Sequence, residues 1–237
     1  MNNNFDVIIL IGRPAAGKSE VIDFLKKAPT TERSNRFHIN EFEEIDDFVY
    51  VWETFEIDDI LTKNGKARIW SDEKYWFKDQ FIWNLYIERI SLTYRKKLAA
   101  DQNYHQKMTT IVEFARGGEN GFDEAFSYLH EDLLKRACII YIKVPYEESV
   151  RKNRRRARPG MEDSILYHSL PDEKMEYYYK NNDWEKLTAI DANYIKIKGI
   201  NVPYATFENM PEKTDDQVKL GNELERVTKK LWSVWKK

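Results

Sequence analysis

Short apolar runs alternate with amphipathic stretches along most of this chain. Phe5–Ile11 (FDVIILI) is almost continuously apolar and rich in branched side chains, the habit of a parallel strand buried on both faces. Residues 18–27 carry Val21, Ile22, Phe24 and Leu25 toward one side, which predicts a helix. Arg36–Asn40 (RFHIN) predicts a short second strand, and the acidic, aromatic residues 41–63 predict partial helix. Residues 72–100 predict one long helix: Phe77, Phe81 and Leu85 are four apart, and Ile82, Ile90 and Leu92 widen the stripe. Thr109–Phe114 (TTIVEF) predicts a third strand. Residues 122–136 predict a helix whose apolar face is Phe122, Ala125, Phe126, Leu129 and Leu133. Ala137–Val144 (ACIIYIKV) predicts a fourth strand, stopped by Pro145. A strongly basic helix over 146–157 and another helix over 172–187 follow. Tyr194–Lys198 (YIKIK) alternates as a fifth strand does, before a loop around Pro203. A polar connector, PEKTDD, then leads into a last helix over 217–236. The expected fold is therefore α/β, in three layers, with a mainly parallel five-stranded sheet flanked by helices.

Composition narrows the class. The 237 residues are 42% hydrophobic and 33% charged, which suits a single domain over 1–237 with an acceptor-side helical insertion at about 41–105. The formal net charge of −2 provides no global field for nucleic acid. Cys138 is the only cysteine, so no intrachain disulfide forms, and its apolar surroundings read as core. The N-terminus has no basic region before its short apolar stretch, and no run approaches the ~20 apolar residues of a membrane span. A cytoplasmic protein without membrane contact is expected.

The chemistry starts at Gly12-Arg13-Pro14-Ala15-Ala16-Gly17-Lys18-Ser19, which matches G-x-x-x-x-G-K-[ST] between a buried-type strand and a helix. Gly12 and Gly17 let the backbone wrap closely around phosphate oxygens, and successive N–H groups form an anion nest. The helix beginning near Lys18 adds the positive end of its dipole. Lys18 is expected between the β- and γ-phosphates and Ser19 on Mg²⁺. The expected cofactors are ATP, with GTP as the alternative, and Mg²⁺.

Three stretches resemble the P-loop nucleoside/nucleotide kinase group, which includes thymidylate, deoxynucleoside, shikimate and gluconate kinases. They are the loop itself, Ile111–Gly118 (IVEFARGG), and Val144–Arg158 (VPYEESVRKNRRRAR). The resemblance covers about residues 5–165. It implies a third strand that aims an acidic residue and a nearby arginine at the phosphates, and an arginine-rich lid, here about 146–165. The lid has its own physical logic. Arg151, Arg154, Arg155 and Arg158 share one helical face, with Lys152 and Arg156 among them. A polyanion would relieve their mutual repulsion and match their fork geometry. On this reading Arg156 points away, and Pro159-Gly160 offers a hinge. A solvated basic face is the alternative.

Glu113 ends its strand opposite the expected Mg²⁺ position and suits a metal-bound water; an ion pair with Arg116 is the alternative. Arg116, before Gly117-Gly118, is expected to reach the acceptor. The resemblance places a catalytic base just after the second strand, where Glu41, Glu43, Glu44, Asp46 and Asp47 lie; Glu41 is the first choice and Glu44 the next. It also places an acceptor-lining helix around Trp76, Trp83 and Tyr86, for which an aromatic core stripe is the bland alternative, and base contacts along Val202–Asn209. The expected function is transfer of the γ-phosphate from a nucleoside triphosphate to a small-molecule acceptor, most simply a nucleoside or nucleotide. Lys18, Glu41, Glu113, Arg116, Arg154 and Arg158 are the expected catalytic residues. Gly12 to Ser19 with Arg151 and Arg155 hold the nucleotide, and a homodimer is compatible with this reading. A nucleotide-binding regulator and a polynucleotide end kinase are the competing classes.

Overall fold

The computed structural model describes residues 3–156 and 169–235. Its elements run β1 (Val7–Gly12), α1 (Lys18–Lys27), α2 (Thr30–Glu32), a π-helical turn (Arg33–Phe37), β2 (Glu41–Asp46), α3 (Asp47–Lys63), α4 (Ile82–Ala100), α5 (Tyr104–Lys107) and β3 (Met108–Phe114). They continue with α6 (Gly121–Tyr128), α7 (Glu131–Leu134), β4 (Ala137–Lys143), α8 (Tyr146–Arg156), α9 (Asp172–Tyr179), α10 (Trp184–Thr188), β5 (Tyr194–Ile197), β6 (Ile200–Glu208) and α11 (Gln217–Val234).

Six strands form one sheet in the order β2-β3-β1-β4-β6-β5. All neighbours are parallel except the β5–β6 hairpin. β1 is central and buried throughout, so its alternating side chains feed two cores. Val7, Ile9 and Ile11 pack with Ile87 and Ile90 of α4, Phe122 and Phe126 of α6, and Trp184 of α10. Phe5, Ile8 and Leu10 pack with Val21 and Leu25 of α1 and Leu220 and Leu224 of α11. The result is three layers, as the alternation of patterns implied. Because β3 lies on one side of β1 and β4 on the other, the strand order switches direction at the carboxyl end of β1, the place where open α/β sheets bind ligands. Cys138 is fully buried in the second core, and burial pushes its thiol pKa up. Among the described residues no helix is long and apolar enough to cross a membrane.

The structure corrects several elements. The expected second strand, Arg36–Asn40, is the end of the π-helical turn followed by His38 in the left-handed region. The Arg33 guanidinium holds that turn by donating to the carbonyls of Leu25 (3.1 Å) and Ala28 (2.7 Å). The second strand is instead Glu41–Asp46 at the sheet edge, where only Ile45 is buried. The long helix starts at Ile82. Before it, the Asp72 side chain accepts from Lys74 N (2.8 Å) and Trp76 N (2.9 Å), and the Asp79 side chain accepts from Phe81 N (2.8 Å). Such local bonds compete with a helix. The pattern at 172–187 is broken after Tyr179, where Asp183 turns to accept from Phe122 N (3.0 Å) and Asp123 N (2.9 Å) at the start of α6. The supposed loop around Pro203 is β6, so the sheet has six strands rather than five. Pro203 pairs with Tyr194 of β5, and the ladder with β4 begins only at Tyr204. The missing N–H therefore falls outside the β4 ladder.

Candidate functional site

The phosphate loop leaves the centre of the sheet at Gly12. A Cβ there would stand 2.8 Å from the Ile142 carbonyl of β4, so only glycine permits this exit. Ala15 (φ 54°) and Gly17 (φ 117°) turn the chain through left-handed conformations. A Cβ on Gly17 would meet Thr214 Cγ2 at 2.8 Å and Asn209 Nδ2 at 3.0 Å. The loop's outward carbonyls have partners. Ser149 Oγ of α8 donates to Pro14 O (2.6 Å), and the buried Asn209 amide donates to Ala16 O (2.8 Å) and to Thr214 Oγ1 (3.1 Å). Asn209 also accepts from Lys213 N at 2.7 Å. The turn is thus braced from behind by α8 and by the segment after β6.

Lys18 is buried at the start of α1. Its Nζ donates to Arg13 O (3.3 Å) and lies 3.8 Å from Glu113 Oε1 at the end of β3. Ser19, next in the helix, is exposed. Asp46, the last residue of β2, is the register partner of Glu113. Burial, then the nearby charges of Glu113 and Asp47, push the Asp46 pKa up to about 8. Burial also raises Glu113, and Lys18 opposes that rise. Asp46 accepts from Phe48 N (2.9 Å) and so caps α3. Asp47 is buried against Arg116, Oδ2 to Nη1 at 2.6 Å.

The structure therefore brings together Lys18, Ser19, Glu113 and the end of β2, but not Glu41. Glu41 pairs with Met108 at the opposite end of the edge strand, five residues and roughly 17 Å from Asp46 at strand rise. There it holds Arg33 (3.0 Å). The strand had been expected five residues too early, so its end was misplaced. Glu44 likewise pairs with Lys26 (2.6 Å).

Arg116 is not on a flexible arm. It is buried, donating to Asp47, to Ala115 O (2.6 Å) and to Trp83 O (2.8 Å), with its guanidinium 5.1 Å from the Trp83 ring. Trp83 is half-buried on α4 and packs edge-on against Phe77, closer to the core-stripe alternative, and Trp76 lies before the helix. The Arg13 side chain points away from the inside of the turn and donates to the carbonyls of Tyr179, Val144 and Lys180, so only its backbone N–H is left for the phosphate role expected of it.

Helix α8 is docked, with Ser149, Lys152 and Asn153 buried. Arg151 pairs with Glu148 (2.7 Å) and Arg154 with Asp172 (2.5 Å); Arg155 is exposed. The arginine that turns toward the site is Arg156, whose Nη2 is 3.4 Å from Glu20 of α1 and whose charge is felt at Glu113. Positions 149, 152–153 and 156 recur at helical spacing, so the inward face that docks α8 also carries Arg156. Arg158 and the Pro159-Gly160 hinge lie outside the described residues. The segment expected to contact a base, Val202–Asn209, is mostly strand β6; the loop beside the phosphate cradle is 209–216.

Asp46 is one of the five acidic candidates the sequence offers for the base, though not the first choice there, while Asn209, Ser149 and Arg156 are not expected at the site from the sequence. Only Asp46 left a signal: an acidic residue before a helical run is a helix N-cap, which would have ended the preceding strand at Asp46. Together the strand, the GRPAAGKS turn and α1, set in a mostly parallel sheet, make a P-loop-like arrangement.

No family model matches the chain, and no curated protein matches it. Among solved structures it is similar to the crystal structure of APE1195, at 12% identity over 96% of this chain and 98% of that one, with a TM-score of 0.43. It is also similar to shikimate kinase from Acinetobacter baumannii in complex with shikimate, at 17% identity over 79% of this chain and 78% of that one, with a TM-score of 0.37.

Proposed function

We propose that this protein is a phosphotransferase that moves the γ-phosphate of ATP to a hydroxyl of a small acceptor, a nucleoside or nucleotide being the first class to test. The observation that carries the reading is the meeting of a phosphate-loop lysine with a desolvated carboxylate pair: Lys18 is 3.8 Å from Glu113, whose strand partner is Asp46. The loop amides and the start of α1 hold the β- and γ-phosphates, and Lys18 bridges them. GTP would make the same phosphate contacts.

Mg²⁺ fits the donor set. Ser19 and Glu113 offer hard oxygens, and Mg²⁺ characteristically takes one or two protein oxygens with phosphates and waters. Among the described residues no group of three or more His, Cys, Asp or Glu could hold a metal alone, which suits an ion that arrives with its nucleotide. When bound it would neutralise charge on the transferring group. Asp46 replaces Glu41 as the proton acceptor. As the acceptor oxygen attacks the γ-phosphorus, its proton passes to an Asp46 carboxylate oxygen, and the bond to the bridging β–γ oxygen breaks to release ADP. A carboxyl group held near neutrality is well matched to that task. Arg156 takes the role first given to Arg154, approaching the γ-phosphate from α8, while Arg158, outside the described residues, keeps the role expected of it.

A second reading is favoured by the buried ion pair between Arg116 and Asp47 (2.6 Å), which engages both side chains on the acceptor side. That closure also suits a protein that hydrolyses a nucleoside triphosphate as a regulator without a second substrate. Incubation with γ-labelled ATP, Mg²⁺ and a panel of nucleosides, nucleoside monophosphates, polyols and oligonucleotides separates the two. Label on a small molecule supports the proposal. Label only in inorganic phosphate supports the regulator, and label on an oligonucleotide 5′ end replaces the acceptor class.

A further inference from the structure

The carboxyl end of α9 is gripped from two sides by loops that carry site residues. From one side comes Arg13, the second residue of GRPAAGKS. Its Nε donates to Tyr179 O (3.0 Å), its Nη2 to Lys180 O (3.1 Å) and its Nη1 to Val144 O at the end of β4 (3.1 Å). The carbonyls that end a helix lack partners within it and carry the negative end of its dipole, so a planar, charged fork suits them better than an ammonium would. From the other side comes the loop after β3. Gly117 lies so close that a Cβ would stand 2.1 Å from Tyr178 O and 2.8 Å from Tyr179 Cα. Gly118 N–H donates to Asn181 O (2.9 Å). Tyr179 joins the two sides. Arg13 holds its carbonyl, while its buried ring lies within the electrostatic reach of Arg116 and Asp47.

Residues 178–181 thus form a wedge between Arg13 of the GRPAAGKS turn, which also carries Lys18, and Gly117-Gly118 of the loop that follows the strand carrying Glu113. We propose that Arg13 and Gly117 are positioning residues that act through this wedge to set the distance between Lys18 and Glu113. Arg13 would then serve the reaction without touching the nucleotide through its side chain. For its effect on rate the inference rests on the phosphotransferase reading; for its effect on structure it does not.

The test uses the full chain with Arg13→Ala, Gly117→Ala and the double substitution, each confirmed folded by its thermal melt. Affinity for a non-hydrolysable ATP analogue with Mg²⁺ should stay near the parent's. Turnover should fall on the order of 100-fold, the cost of a misplacement of about 1 Å. The double variant should be no slower than the slower single, because both changes release the same wedge. In Arg13→Ala the Gly118 amide should exchange its hydrogen faster, although the substitution lies on the other loop. Parent-level turnover in folded Arg13→Ala, multiplicative losses in the double variant, or faster exchange confined to residues 12–19 would each overturn the proposal. If the parent transfers no phosphate and hydrolyses none, the phosphotransferase reading fails by itself, and Gly118 exchange still decides whether the wedge couples the two loops.

Discussion

Glu41 and Asp46 begin and end the same six-residue strand, yet only Asp46 lies at the end beside Glu113 and Lys18. The Asp46 carboxyl lies beside Glu113 and is raised by burial first and by its neighbours second; Glu41 answers Arg33 and Thr30 at the other end. Asp46→Asn should therefore depress turnover strongly while ATP-analogue affinity changes little, the pattern of an interaction made in the transition state. Glu41→Gln should leave turnover near the parent's. Steady-state kinetics on the two variants checks this, and equal losses in both would remove Asp46 from its role. Arg156 and Arg154 make a second contrast two residues apart. Arg156→Ala should slow turnover, because its guanidinium reaches Glu20 (3.4 Å) on α1, the helix that opens with Lys18. Arg154→Ala releases only an exposed, solvent-screened pair with Asp172 and should leave turnover near the parent's. A slower Arg154→Ala beside an unaffected Arg156→Ala would restore the original lid face.

Among the elements, the strands with the plainest apolar runs were legible in the sequence, and those with mixed polarity were not. β1, β3 and β4 are flanked on both sides by other strands and covered by helices, so most of their residues are buried, and β1 and β4 are apolar almost throughout. β2 is an edge strand, and EFEEID reads as a solvated acidic stretch because most of its side chains stay at least partly exposed. β6 was hidden by Pro203, which sits where the ladder to β4 has not begun. The helical lobe depended on a buried carboxylate that periodicity does not reveal. Asp58 on α3 accepts from Ile69 N (2.7 Å), Trp70 N (3.1 Å), Ser71 N (2.6 Å) and Ser71 Oγ (2.8 Å). Burial pushes its pKa up, but the bonds from Ile69, Ser71 and Trp70 outweigh that and hold it below the usual carboxylate value. The carboxylate therefore stabilises the fold in full above the ordinary value near ~4, and that contribution is lost as pH falls through the lower folded-state value. Asp58→Ala should cost about 1–3 kcal/mol for each donor left unsatisfied, and denaturant titrations at neutral and acid pH should show the parent–variant gap narrow only in acid. A constant gap down to the lowest pH would mean that Asp58 contributes by packing alone.

For the molecule as a whole, the legible part of the site was the part made by consecutive residues. Gly12 to Ser19 could be read because eight neighbouring positions carry the whole GRPAAGKS pattern. The rest is assembled across the sheet: Asp46 from an edge strand, Glu113 from its neighbour, Arg156 from α8, and Asn209 from the segment after β6. Distances between such residues depend on register and docking, which spacing along the chain does not encode. The arginine cluster shows the same limit, since its helical face was readable but the side that docks was not. On the proposed function, the GRPAAGKS turn and the carboxylate pair beside it form one phosphotransfer centre. Its most direct test is release of the γ-phosphate of Mg·ATP, to the best acceptor found or to water, by the parent and by Lys18→Ala, with folding verified by circular dichroism. Measurable transfer is expected from the parent, and none above background from a folded Lys18→Ala protein. Transfer by folded Lys18→Ala at the parent's rate would contradict the proposed function.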